Sequence, residues 1–208
     1  MTRALLRQVR DTTLRTWRIT SDGVLLRVAG DWYQALALQR DKHRRGWFPN
    51  AWVTCLAIHD GAVLCDQRIV TSAGQLWTNE ELRTLGDAFT AQARPEPLKP
   101  LSPTAILRSL SEIERRSLAP PGPFDDGADP RVLLALAVCA VRDGDATAAC
   151  AAVKRALRSP GSGGLSSTWS VTEWAKDLAR HLELGREDAA RFLDQTRESS
   201  LEDLGRLE

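Results

Sequence analysis

The chain has 208 residues, 43% of them hydrophobic, enough apolar surface for two compact lobes of ordinary size. Lys and Arg total 28 against 27 Asp and Glu, so the net charge of +1 offers no global field to attract nucleic acid or an anionic membrane, and any such binding has to be local. Arg3, Arg7, Arg10, Asp11 and Arg15 interrupt the first apolar residues, which argues against a signal peptide, and no uncharged run reaches the roughly 18 residues a membrane span needs.

Leu5, Leu6, Val9, Thr13, Leu14 and Trp17 recur at spacings of three and four, which predicts one amphipathic helix over the first eighteen residues with an arginine-rich outer face. Ser21-Asp22-Gly23 breaks it. Over residues 23–70 the pattern becomes that of a small antiparallel sheet. Val24 to Val28 and Trp32 to Arg40 should pair as a hairpin about Gly30-Asp31, with Trp32, Leu36 and Leu38 on one face and Tyr33, Ala35 and Ala37 on the other. Arg40 to Asn50 reads as a polar, basic connection. Trp52 to Ile58 is apolar almost throughout, as in a central strand buried on both faces. Asp60-Gly61 is the turn dipeptide of a tight hairpin, and Val63 to Val70 supplies the return strand.

Glu80 to Ala93 is helical by spacing, with Leu82, Leu85 and Phe89 inward and Asn79 as its N-cap. Pro95, Pro97, Pro100 and Pro103 imply an extended segment over 94–103, followed by a helix over 102–118. Ala119 to Gly127, rich in Pro and Gly, marks the lobe boundary. Beyond it every segment reads helical: Val132 to Val141 behind Asp129-Pro130, Ala146 to Arg158, Ser170 to Leu184, and Glu187 to Glu198.

Val132 to Arg158 resembles a tetratricopeptide-type helical hairpin through Leu133, Leu136, Ala137 and Ala140, the Gly144-Asp145 turn, then Ala149, Ala156 and Leu157, with Pro160 behind. The second helical pair keeps Trp174, Gly185 and Ala190, but Ala190 lies farther beyond Ala149 than the period of about 34 residues in tandem repeats. A plain bundle of closely packed helices explains the same alanines. A second resemblance covers residues 5–90. An aromatic-led strand, Trp32 to Arg40, precedes Trp52 to Ile58, then Cys65-Asp66-Gln67-Arg68-Ile69, then Leu76-Trp77. This order is similar to an uncharacterised bacterial family defined only as a domain of unknown function. Asp66 stands where that family has histidine, and Trp77 where two tryptophans are commoner. The family has no established activity and implies no catalytic residues.

Cys55, His59 and Asp60 form the one tempting nucleophile, base and acid set, but a strand cysteine facing the core and turn residues beside it do not make a triad. His43, His59 and His181 are scattered, and Cys55, Cys65, Cys139 and Cys150 lack paired spacing, so no metal site is expected and the thiols are read as reduced core residues. No glycine-rich phosphate loop follows a strand, and no cofactor is expected. The sharpest surface feature is the loop of Arg40, Lys42, Arg44 and Arg45 with Trp47. It suits an acidic protein partner, or phosphates with Trp47 stacked on a base; in the bland alternative Trp47 and Phe48 tuck into the sheet.

These features predict an α+β protein in which a small antiparallel β-sheet with flanking helices, residues 1–118, joins through 119–128 to an all-α, helical-hairpin lobe, residues 129–208. The expected function is that of a non-enzymatic accessory module, of immunity or defence type, that binds a protein partner in the bacterial cytoplasm without a membrane. Nucleic-acid binding through Arg40–Arg45 and a cryptic hydrolase or nuclease are the alternatives.

Overall fold

The computed structural model describes residues 2–41, 46–58, 62–71, 76–94, 96–97, 99, 106, 130–158 and 167–205. It is an α+β architecture, with an antiparallel sheet near the N-terminus followed by helices. The chain divides into two compact units: Met1–Thr54, Cys65–Ile106 and Leu204–Glu208 make one, Cys55–Leu64 and Leu107–Asp203 the other. The expected boundary at 119–128, the Asp60-Gly61 turn and nearly all of the helix expected over 102–118 lie outside the described residues.

Helix α1 covers Thr2–Thr12, shorter than the spacing alone predicts. Leu6 and Val9 are buried and hold its inner face. The adjacent β-branched pair Thr12-Thr13 stops it: Thr12 Oγ1 turns back to donate to the Gln8 carbonyl at 2.8 Å, a local bond that competes with helix propagation. The chain then turns so that Leu14 and Trp17 still reach the core, where the Trp17 ring meets Phe89 edge to face with centroids 5.5 Å apart.

The sheet order is β1-β2-β3-β4-β5. Its strands are β1 (Arg18–Ile19), β2 (Val24–Ala29), β3 (Trp32–Arg40), β4 (Trp47–Cys55) and β5 (Ala62–Arg68). Strands β2 and β3 pair about the expected Gly30-Asp31 turn, Ala29 opposite Trp32 and Leu25 opposite Leu36. Both ends of β4 differ from the expected strand. Trp47, Phe48, Pro49 and Asn50 belong to β4 rather than to a connection, and Leu56, Ala57 and Ile58 form a buried turn beyond it. Continuous apolarity records burial, and burial alone does not say where the hydrogen-bonded ladder begins and ends.

After Trp77 a single 3₁₀ turn, Glu81–Thr84, leads into α2, Leu85–Gln92, with Leu82, Leu85 and Phe89 buried as their spacing predicts. Arg27 ties the segment beyond α2 to the sheet. Its Nη1 donates to the Lys99 carbonyl at 2.7 Å, its Nη2 to the Glu96 carbonyl at 3.1 Å and to Gln34 Oε1 at 2.9 Å, and its guanidinium lies over Trp17, 5.4 Å from the ring centroid. Burial lowers its pKa from the ordinary arginine value.

The second unit is built on two helical hairpins, α3 (Pro130–Asp143) with α4 (Ala146–Arg158), and α5 (Ser167–Leu184) with α6 (Arg186–Gly205). The α3–α4 turn is a Schellman cap: Asp145 N–H donates to the Ala140 carbonyl at 2.8 Å and Gly144 N–H to that of Val141 at 3.1 Å. The turn requires φ of +82° at Gly144, a left-handed conformation that favours glycine. Asp145 then caps α4, its Oδ1 accepting from Ala148 N–H at 2.9 Å. The Arg186 guanidinium, at the start of α6, lies against Gly144, and Arg142 pairs with Asp194 at 2.8 Å.

A Cβ on Gly46 would come within 2.7 Å of Leu76 Cβ, an atom fixed by its own backbone. We expect Gly46→Ala to cost about 1–3 kcal/mol in a denaturant melt, as overpacking does. Arg27→Met should cost about as much as a hydrogen bond to a charged group, about 1.5–3 kcal/mol, and raise proteolysis at 94–99.

Candidate functional site

The loop that stood out in the sequence divides in two. Arg40 is exposed at the end of β3, and Asp41 N–H donates to the Gly46 carbonyl at 2.9 Å, whereas Lys42, Arg44 and Arg45 lie outside the described residues. Trp47 is a core residue. It is 5% exposed, and its indole N–H donates to Asn79 Oδ1 at 2.7 Å, so it does not present a face for a base to stack on. Phe48, half-buried beside it, carries the Arg68 guanidinium 4.4 Å from its ring centroid.

What Trp47 does instead is join separate parts of the lobe. Its backbone exchanges two hydrogen bonds with Trp77, at 2.9 and 3.1 Å, and the buried Trp77 indole donates to the Ile69 carbonyl at 2.8 Å. Ile69 N–H in turn donates to the Pro49 carbonyl at 2.9 Å. Asn79 is thereby taken up by Trp47 and does not cap the following helix. That role falls to a capping box: Thr78 N–H donates to Glu81 Oε2 at 2.8 Å, and Glu81 N–H to Thr78 Oγ1 at 3.3 Å. The Thr-x-x-Glu spacing at 78–81 was the signal that could have found it. The bond from the Thr78 backbone, then the one from its side chain, lowers the Glu81 pKa from the ordinary glutamate value.

In the helical unit, α3 and α4 leave an open groove of about 460 Å³ between them. Leu133, Leu136 and Ala140 form one wall and Ala148, Ala151 and Ala152 the other. The wall arises from the sequence directly: alanines spaced three and four apart fall on one side of α4, and their small side chains leave room over the contact between the two helices. Polar groups stand at its margins only. Asp143 and Asp145 lie beside the turn, where Asp145 is already engaged in capping α4, and Arg155 lies nearly three turns along. The volume falls among those of ligand pockets, yet few polar groups converge on it, and the lining suits apolar contact better than chemistry. Ala140 was legible as a small packing residue; that Ala148, Ala151 and Ala152 wall a groove with it was not.

The α5–α6 pair holds a further cluster. His181 Nδ1 meets Asp188 Oδ2, the imidazole stacks on Phe192 with centroids 4.6 Å apart, and Trp174 lies 5.8 Å from the same ring. No nucleophile is among these contacts. Cys55 is fully buried, and the His59 and Asp60 of its tempting set lie outside the described residues. Cys139 and Cys150 are not disulfide-bonded, and among the described residues no group of His, Cys, Asp or Glu could hold a metal ion. No described helix is long and apolar enough to cross a membrane. In comparisons with known proteins, no family model, no curated protein and no solved structure matches the chain.

The lowered pKa of Glu81 fixes the sign of a pH effect. The stability its bonds contribute is present above the ordinary glutamate range and is lost as pH falls through the lower folded-state value. Glu81→Gln keeps an acceptor for the box but cannot titrate, so thermal melts between about pH 6 and about pH 3 should show a shallower acid loss in the variant than in the parent chain.

Proposed function

We propose that the protein is a non-enzymatic interaction module, an accessory of immunity or defence type in a bacterium, that receives a segment of a partner protein in the groove between α3 and α4. The groove carries this reading: an apolar trough about 460 Å³ in volume, walled by small side chains and polar only at its margins, accepts a helix or extended segment with apolar anchors. Helical hairpins in series commonly offer such grooves, which is also what the tetratricopeptide-like spacing of α3 and α4 would imply. The predominance of arginine, with Lys42, Lys99, Lys154 and Lys176 the only lysines, supports a high-GC bacterial origin.

Ala151 is exposed on α4 and lines the groove, so Ala151→Arg should fill it without disturbing the core. In quantitative capture from an extract of the native host, we expect at least one protein held by the parent chain to fall about tenfold or more with Ala151→Arg. Lys154→Glu, exposed on the same helix but outside the groove lining, should retain it. Identical capture by parent and Ala151→Arg, or turnover of a substrate by the purified chain, would remove the reading.

A further inference from the structure

Besides the Arg40–Arg45 loop, positive charge is concentrated at the N-terminal helix of this nearly neutral chain. Residues 1–18 carry five arginines and one acid, Asp11; because the whole chain is only +1, the remainder is net negative. Arg3, Arg7 and Arg10 are spaced four and three apart and so lie on one side of α1, one guanidinium per turn, with Arg15 and Arg18 following in the turn and strand beyond. Arg3 and Arg7 are exposed, as are Arg15 and Arg18, and the Arg10 side chain is 35% exposed. The contacts of Arg3, Arg15 and Arg10 compete weakly with a phosphate. Arg3 donates to the Thr20 carbonyl at 3.3 Å, Arg15 to that of Asp11 at 3.3 Å, and Arg10 pairs with Asp11 across an exposed, solvent-screened contact.

The residues between the arginines decide what class of partner this face suits. Ala4, Gln8, Asp11, Thr12 and Thr16 are the other exposed positions here, and none is a large apolar or aromatic side chain. A protein interface has an apolar or aromatic centre, which this face lacks. A membrane-surface helix must insert its apolar side, but Leu6 and Val9 are buried in the protein's own core. A row of guanidiniums without an apolar centre matches phosphate, which accepts paired hydrogen bonds from arginine.

We propose that the arginine face of α1 and the turn after it binds the phosphate backbone of nucleic acid, without reading base sequence. The face is distinct from the α3–α4 groove and does not depend on the function proposed for it. It also differs from the Arg40–Arg45 loop.

The test is fluorescence polarisation of the full chain with a labelled DNA duplex of about 20 base pairs, unrelated duplexes serving as sequence controls, at about 50 and about 200 mM salt. Four phosphate contacts, through Arg3, Arg7, Arg10 and Arg15, give a log–log slope of about −3.6, or roughly a 150-fold loss of affinity across that range, equal for all duplexes. Combined Arg7→Gln, Arg10→Gln and Arg15→Gln should leave a slope of about −0.9, and Arg7→Gln alone should lower its magnitude by about 0.9. Circular dichroism confirms that each variant is folded, and the single exposed Arg7 change keeps the test decisive if the triple variant is not. The proposal is overturned by absence of binding at the lower salt, by an unchanged slope in Arg7→Gln, or by a loss seen only when Arg44 and Arg45 are replaced. Displacement of the DNA by polyglutamate at equal charge concentration would also overturn it, and would assign the face to an acidic polypeptide.

Discussion

The N-terminal lobe depends on the mutual hydrogen bonding of Trp47 and Trp77. These residues are thirty positions apart, and their paired backbones bring the start of β4 against the segment that leads into α2. Each indole then extends the contact in a different direction, Trp47 to Asn79 and Trp77 to the carbonyl of Ile69 just beyond β5. Buried N–H groups need acceptors, and here every one of these finds its partner on another part of the chain. The arrangement converts two large apolar side chains into a cross-tie for three segments. Gly46 belongs to it as well, since only a residue without a Cβ lets β4 begin so close to Leu76.

The same contact explains what the sequence made legible and what it hid. Local patterns were sufficient for the β2–β3 hairpin, because its two-residue turn and alternating apolar faces act over a few residues, and the register follows. They were sufficient again for α3 and α4, where Gly144 and Asp145 close one helix and open the next within a single turn. Trp47 was ambiguous because its neighbours Arg44 and Arg45 suggest solvent, whereas its fate is set by Trp77 and Asn79, far along the chain. The length of α1 was misjudged for a related reason. Leu14 and Trp17 keep helical spacing, but they reach the core from a turn, since Trp17 is drawn to Phe89. Asn79 was a fair N-cap by composition, and lost that role to Thr78 once Trp47 had claimed its side chain.

The two surfaces of functional interest are made by opposite means. The groove on α3 and α4 exists because alanines leave space between helices that are otherwise closely joined, so its character is apolar and its polar groups are marginal. The α1 face exists because the helix buries Leu6 and Val9 and consigns its arginines to water. A chain with almost no net charge thereby acquires a strongly polarised end, and overall charge balance conceals it.

The contact of Arg186 with Gly144 has a consequence for how the helical unit is counted. It brings the start of α6 beside the α3–α4 turn, so both hairpins reverse direction at the same end, and Arg142 in the last turn of α3 pairs with Asp194, about two turns along α6. The extra residues between Arg158 and Ser167 lengthen the interval from one hairpin to the next along the chain, without moving either turn away from that end. The shared end is a matter of packing, and the count of residues from Ala149 to Ala190 carries no sign of it.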